Sequence, residues 1–302
     1  MTSKVLIAIL LGHAFSSCAI ASSVAYTKVT SCGVSAHVAT VNLADSETRV
    51  TVALARGGSG KSESFKSMVG RTRPAAAITG TFFDTRSLVP TGDIAVFGKV
   101  VHTGCIGSAL CIDFENKPSI VPLREGRKQG WAGYETVLCC GPTLVSGGAV
   151  NVRLQHEGFG GSLYASATRT AVGITRAGKL VLVAVNKKTS LHRIAKLMVS
   201  IGVVDALSLD GGSSTGFYAN GAFKANPPRR LTNLLVVYST SRTYENAKTA
   251  LVPASMLPKP DLYAGLAIPQ TPVGEYLAPS ETTAAAVPVP GSAIAQPGEP
   301  RR

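Results

Sequence analysis

Between residues 22 and 240, apolar residues either alternate with polar ones or gather in short runs. Residues 37–43 and 49–55 alternate, which predicts two strands paired with each other. Residues 63–70 read as a short helix capped by Ser62. Residues 75–78 form a short buried strand that runs into Thr79-Gly80-Thr81-Phe82-Phe83-Asp84. Residues 171–174 and 180–185 flank the turn Ala177-Gly178, a hairpin signal. Leu191, Ile194, Ala195, Met198 and Ile201 make a helical stripe, and Gly202 ends it. The apolar run from residue 203 to 209 follows at once as a buried strand, and residues 234–238 form a last strand.

Strands outnumber helices, and their order is not a steady strand–helix alternation. This predicts an α+β fold: one domain with a mixed or antiparallel sheet flanked by a few helices. No internal repeat is visible.

The two ends differ from this core. Lys4, the apolar run 5–11 and Ala19-Ile20-Ala21 fit an export signal cleaved after residue 21. The alternative is lipid attachment at Cys18. The run is too short for a stable membrane anchor, and no other segment has the uninterrupted apolar length of a transmembrane helix. From residue 241 onward Pro, Ala, Thr and Val dominate, and ten of the 17 prolines fall there. Residues 241–302 therefore read as a disordered tail, either without a role or acting as a spacer or surface tether. The expected organisation is a signal peptide at 1–21, a domain at 22–240 and this tail. The signal and tail together point to an exported protein, periplasmic or extracellular, of bacterial type.

Charge narrows the partners. The 302-residue chain carries a net charge of +13, and residues 22–240 hold twelve more basic than acidic side chains. Such a surplus favours anionic partners. The basic residues are scattered, with only doublets such as Lys187-Lys188 and Arg229-Arg230, which argues against nucleic acid. Export would expose the cysteines to an oxidising compartment. Cys105 with Cys111, and one of Cys139 and Cys140 with Cys32, are then candidate disulfides, with connectivity open. No Cys-x-x-Cys occurs and the five histidines are far apart, so no structural zinc site is expected.

The richest chemistry sits where the strand 203–209 ends, in Asp210-Gly211-Gly212-Ser213-Ser214-Thr215. Paired glycines let backbone N–H groups approach a ligand, and hydroxyls supply further donors. The loop suits an anionic, oxygen-rich ligand with one carboxylate beside it. Two other motifs mislead. Gly57-Gly58-Ser59-Gly60-Lys61-Ser62 resembles a phosphate-binding loop, but Ala55 stands where its first glycine belongs. Gly212-Ser213-Ser214-Thr215-Gly216 matches a nucleophile elbow, but the last histidine, His192, lies upstream of it.

A longer ordered series points to a family. It comprises Ile78 through Asp84, Pro90-Thr91-Gly92-Asp93, Cys140-Gly141-Pro142-Thr143-Leu144-Val145 and Arg169-Thr170-Ala171-Val172-Gly173-Ile174. The Asp210 to Ser214 loop, Asn220-Gly221, Asn226-Pro227-Pro228-Arg229-Arg230 and Asn233 complete it. The series resembles the phosphodiester glycosidase family, over essentially residues 38–237. The family usually has asparagine where Thr79 stands and often where Ser208 stands.

The resemblance implies cleavage of the bond between a sugar and a phosphodiester. Such a site must hold a phosphate, stabilise positive charge on the sugar and manage one proton. Arg169 is the candidate for the phosphate, since a guanidinium offers bidentate donors and stays charged. Thr170, Gly211, Gly212, Ser213 and Ser214 would complete the cradle, and Thr81 would orient substrate. Asp210 is the candidate acid/base, with Asp84 as second carboxylate and Asp93 behind it. A carboxylate beside a phosphate needs a cation nearby: either Arg169, or a Ca²⁺ or Mg²⁺ held by Asp210 and another oxygen ligand. The expected activity is an exported hydrolase of sugar-1-phosphodiesters. The alternative is a non-catalytic binder of anionic envelope glycans on the same fold.

Overall fold

The structure is a computed structural model, and it describes residues 22–104, 106–123 and 130–257. The expected leader, Cys18, Cys105 and the chain beyond residue 257 lie outside the described residues. Three sheets carry the fold, and every recorded strand pairing in them is antiparallel. The first has seven strands in the order β1 (Val24–Ser31), β2 (Val34–Val41), β13 (Leu180–Thr189), β12 (Ala167–Thr175), β14 (Val203–Leu209), β10 (Thr143–Ser146) and β11 (Ala149–Val150). The second runs β16 (Ala222–Ala225), β15 (Phe217–Ala219), β4 (Ala76–Thr79), β17 (Asn233–Tyr238) and β3 (Arg49–Leu54). The third runs β6 (Lys99–His102), β5 (Ile94–Val96), β9 (Tyr134–Cys140), β7 (Ser108–Asp113) and β8 (Pro118–Pro122). The expected α+β class with antiparallel sheet is therefore the observed one.

The periodic segments fold as they read. The hairpin of β12 and β13 pairs Ala171 with Val183 and Val172 with Leu182. The stripe at residue 191 becomes α2 (Leu191–Ser200), capped by Ser190, whose hydroxyl accepts the Arg193 amide at 3.3 Å. Ile194, Ala195, Leu197 and Met198 are buried against the first sheet. The early helix is α1 (Phe65–Thr72), and its cap is Ser64 rather than Ser62. The strands at 37–43 and 49–55 do not pair with each other. β2 lies between β1 and β13, while β3 pairs with β17 in a different sheet. Alternation fixes which face of a strand is buried, not which strand lies beside it.

The change of character expected at residue 241 comes later. Residues 241–251 form α3 (Ser241–Leu251), capped by Thr240 and burying Tyr244, Ala247 and Leu251. The Tyr244 hydroxyl donates to Glu135 at 2.7 Å, and the Arg71 guanidinium donates to the Ala250 carbonyl. Arg71 also pairs with Glu63 at 2.8 Å. The compact domain therefore includes α3. No helix among the described residues is long and apolar enough to cross a membrane.

The disulfides expected from export are not present at the described cysteines. Cys32, Cys111, Cys139 and Cys140 are free thiols. Cys139 and Cys140 alternate out of β9 to opposite faces, Cys139 into a small core with Trp131 and Cys140 into the main core. Burial pushes the Cys111 and Cys140 thiols up to about 12. A thiol-specific reagent should thus label Cys32 quickly in the folded protein and the three buried cysteines only after unfolding; mass spectrometry of labelled peptides checks this.

Candidate active site

Three loops meet where β4, β9 and β14 end. The Asp210 amide, after β14, donates to the Gly80 carbonyl at 3.0 Å, after β4. The Gly141 amide, after β9, donates to the Ser208 carbonyl at 3.1 Å. Thr143 opens β10 just after this third loop. Its amide reaches the Glu157 carboxylate at 3.0 Å, and its hydroxyl donates to the same oxygen at 3.0 Å. Glu157 thus braces the site from a 3₁₀ turn (Gln155–Glu157).

Threonines hold the glycine loop. Thr79 accepts the Gly216 amide at 2.8 Å and donates to the Ser214 carbonyl at 2.5 Å. Thr168 donates to the Gly212 carbonyl at 2.8 Å and shares a 2.8 Å hydrogen bond with the Thr215 hydroxyl. Thr170 donates to the Asp210 carbonyl at 2.5 Å. Gly211 has no room for a side chain, because a Cβ there would sit 2.7 Å from the Thr168 carbonyl oxygen. Where the family usually has asparagine, Thr79 acts as a strut between β4 and the loop. Thr79→Val would leave a buried amide and carbonyl unpaired, and should lower stability by about 1–3 kcal/mol in a urea unfolding curve.

Asp210 is a half-buried carboxylate at the centre of this arrangement. Burial pushes its pKa from 3.8 up to about 6, with smaller opposing contributions from the Ser214 hydroxyl, the Gly211 amide and the Arg229 charge. The Ser214 hydroxyl is buried and faces the carboxylate without closing a hydrogen bond of normal geometry. Arg229 sits near through its backbone, whose amide donates to the Ser213 carbonyl at 3.3 Å.

The other sequence candidates occupy different positions. Thr81 is buried, its amide donates to the Asn233 side-chain oxygen at 2.8 Å, and its hydroxyl faces the Cys140 thiol. Ser213 is exposed at the loop tip. Asp84 is exposed, and one of its oxygens accepts the Arg86 amide, the Ser87 amide and the Ser87 hydroxyl at 3.0, 2.7 and 2.9 Å. The Ser87 amide is the main cause of its lowered pKa, so Asp84 is an ionised turn brace. Asp93 is buried and holds the Gly104 amide at 2.7 Å and the Trp131 indole at 2.6 Å.

Arg169 is only 4% exposed and forms no ion pair with Asp210. It points with Ala171 toward the α2 side of the sheet, while Val172 faces the main core. Its guanidinium donates to the carbonyls of Thr189, Leu163 and Ala165. The cation that acts on Asp210 is Arg229, whose motif stood out in the sequence without signalling this role.

Among the described residues no three His, Cys, Asp or Glu side chains converge as metal ligands. Among the described residues Asp210 has a hydroxyl and an amide beside it and no second carboxylate.

Comparison with known proteins shows the family of the chain. The family model for phosphodiester glycosidase matches residues 72–238, more than half of the chain, and the chain belongs to that family. A cattle (Bos taurus) N-acetylglucosamine-1-phosphodiester alpha-N-acetylglucosaminidase is 35% identical over 86 residues, covering 23% of this chain. The chain spans only 16% of that relative's length. The zebrafish enzyme of the same name, solved as a catalytic domain auto-inhibited by its pro-peptide, shares the fold. Its TM-score is 0.58 at 23% identity, over 71% of this chain and 82% of that one. A hypothetical protein from Synechocystis also matches, with a TM-score of 0.53 at 17% identity over 70% of this chain and 61% of that one.

Proposed function

We propose that this chain is an exported hydrolase that cleaves the glycosidic bond of a sugar-1-phosphodiester. The observation that carries this reading is Asp210: a carboxyl with its pKa raised to about 6, beside a glycine loop and an arginine. Family membership supports the same reading.

Asp210 in its protonated form is the general acid. As the bond between the anomeric carbon and the phosphate oxygen breaks, that oxygen keeps the electron pair and takes the Asp210 proton. A phosphomonoester leaves. Water adds to the oxocarbenium-like carbon and returns a proton to the Asp210 carboxylate, releasing free sugar. The Arg229 guanidinium and the amides of Gly212 and Ser213, which have no protein acceptor among the described residues, hold the phosphate, whose charge would otherwise repel the ionised carboxylate.

One observation favours the second reading, a non-catalytic binder of anionic envelope glycans: Asp84, the candidate second carboxylate, has one oxygen engaged in its own turn. The test incubates chain 22–302, which keeps α3, with a panel of sugar-1-phosphodiesters and measures released sugar by chromatography. Release that Asp210→Asn abolishes supports the hydrolase. Binding without release, unchanged in Asp210→Asn, supports the binder.

A further inference from the structure

Away from the Asp210 loops, a cavity of about 530 Å³ opens between residues 152–156, the turn at Leu163 and Tyr164, and the start of α2. That volume lies in the range of small-molecule sites. Its walls include the apolar Leu154, Leu163 and Leu191, and its polar lining includes Arg153, His156 and His192 without any acidic side chain.

Arg169 binds both walls. Nη2 donates to the Leu163 carbonyl at 3.1 Å, and Nε donates to the Thr189 carbonyl at 3.4 Å, one residue before Ser190 of the lining. Nη1 has no hydrogen-bond partner among the described residues, and the side chain has no counter-ion there. A guanidinium buried to this degree without an anion is costly to fold, and an anion that enters beside it relieves that cost. At the same wall, Ser190 caps the Arg193 amide, which leaves the amides of Leu191 and His192 without a protein acceptor among the described residues. Arg153, His156, His192 and the free amides that open α2 thus meet at a partly apolar cavity, and the buried Arg169 lies behind its walls, tied to the Leu163 carbonyl of the lining.

We propose that this cavity is a second ligand site that takes a phosphomonoester carrying an apolar group. The phosphate lies toward Arg169, Arg153 and the first turn of α2, and the apolar group against Leu154, Leu163 and Leu191. No lining residue belongs to the Asp210 loops, although the wall at Gln155 and His156 adjoins Glu157, which braces them; Arg169 serves the α2 side of β12, while the next residue, Thr170, holds the Asp210 carbonyl.

Calorimetric titration of chain 22–302 with phenyl phosphate tests this, with inorganic phosphate and phenol as separate arms. Phenyl phosphate should bind at least about tenfold more tightly than either fragment. The double variant Arg153→Gln/His192→Gln changes two exposed side chains and should weaken binding about tenfold or more at unchanged melting temperature. Arg229→Gln, which removes the cation assigned to phosphate at the Asp210 loops, should bind phenyl phosphate as the parent does, whether or not the parent hydrolyses any phosphodiester. No heat of binding, or equal affinity in the double variant, overturns the proposal. Loss of binding in Arg229→Gln also overturns it, by placing the ligand at the other site. Equal affinity for phenyl phosphate and inorganic phosphate overturns the assigned ligand class.

Discussion

Asp210→Asn is expected to lower turnover of a sugar-1-phosphodiester by about 10²–10⁴-fold and, at pH 7, to make the protein more stable. The two effects share one cause. Burial holds the native carboxyl proton up to about pH 6, whereas in the unfolded chain it leaves near 3.8. Between those values unfolding releases a proton, so the native state loses stability as pH rises through about 6. Above that pH the parent protein buries a charge that asparagine does not carry. The gain should be roughly 1–3 kcal/mol at pH 7 and vanish below pH 4, in urea unfolding curves taken at several pH values. Turnover of the parent should fall as pH rises past about 6, because the protonated acid is depleted. An asparagine variant that is inactive and less stable at pH 7 would contradict this account of the carboxyl.

The second large effect is expected at Gly80. A Cβ there would lie 1.9 Å from the Asn233 side-chain oxygen, the atom that accepts the Thr81 amide. Gly80→Ala must therefore expel Asn233 from that bond or shift the loop whose carbonyl holds the Asp210 amide. A loss of about 2–4 kcal/mol is expected, more than in Thr79→Val, with turnover falling because the Asp210 loop shifts. Asn233→Ala alone should also destabilise. Since it removes the colliding oxygen, the double variant should cost less than the sum of the two. Strict additivity in unfolding free energy would show that the collision is not the cause.

The sequence exposed some of this and hid the rest for physical reasons. The loop after residue 209 was readable because an apolar run, an aspartate and two glycines occur in immediate succession. The β12–β13 hairpin and α2 were readable because their periodicity is local. Sheet partners were not: β2 and β3 have clear alternation yet join different sheets, which depends on where distant strands lie. What one oxygen of Asp84 does was also hidden, because composition does not show that it accepts its own loop amides. For Arg169, strand alternation alone could not tell which face would meet Asp210. Arg229 is brought to Asp210 by a backbone contact with Ser213, a coupling that no spacing encodes. The domain end was misplaced because the α3 stripe Tyr244, Ala247 and Leu251 lies just before proline-rich chain.

Thr79, Thr168 and Thr170 fasten one short loop to strands of two different sheets. The loop is consequently ordered when the domain folds rather than when substrate arrives, so little conformational entropy remains to be lost on binding. Such a site has no partly loosened form between working and melted. Heat should remove activity along the same curve that removes tertiary structure, with no earlier inactivation step.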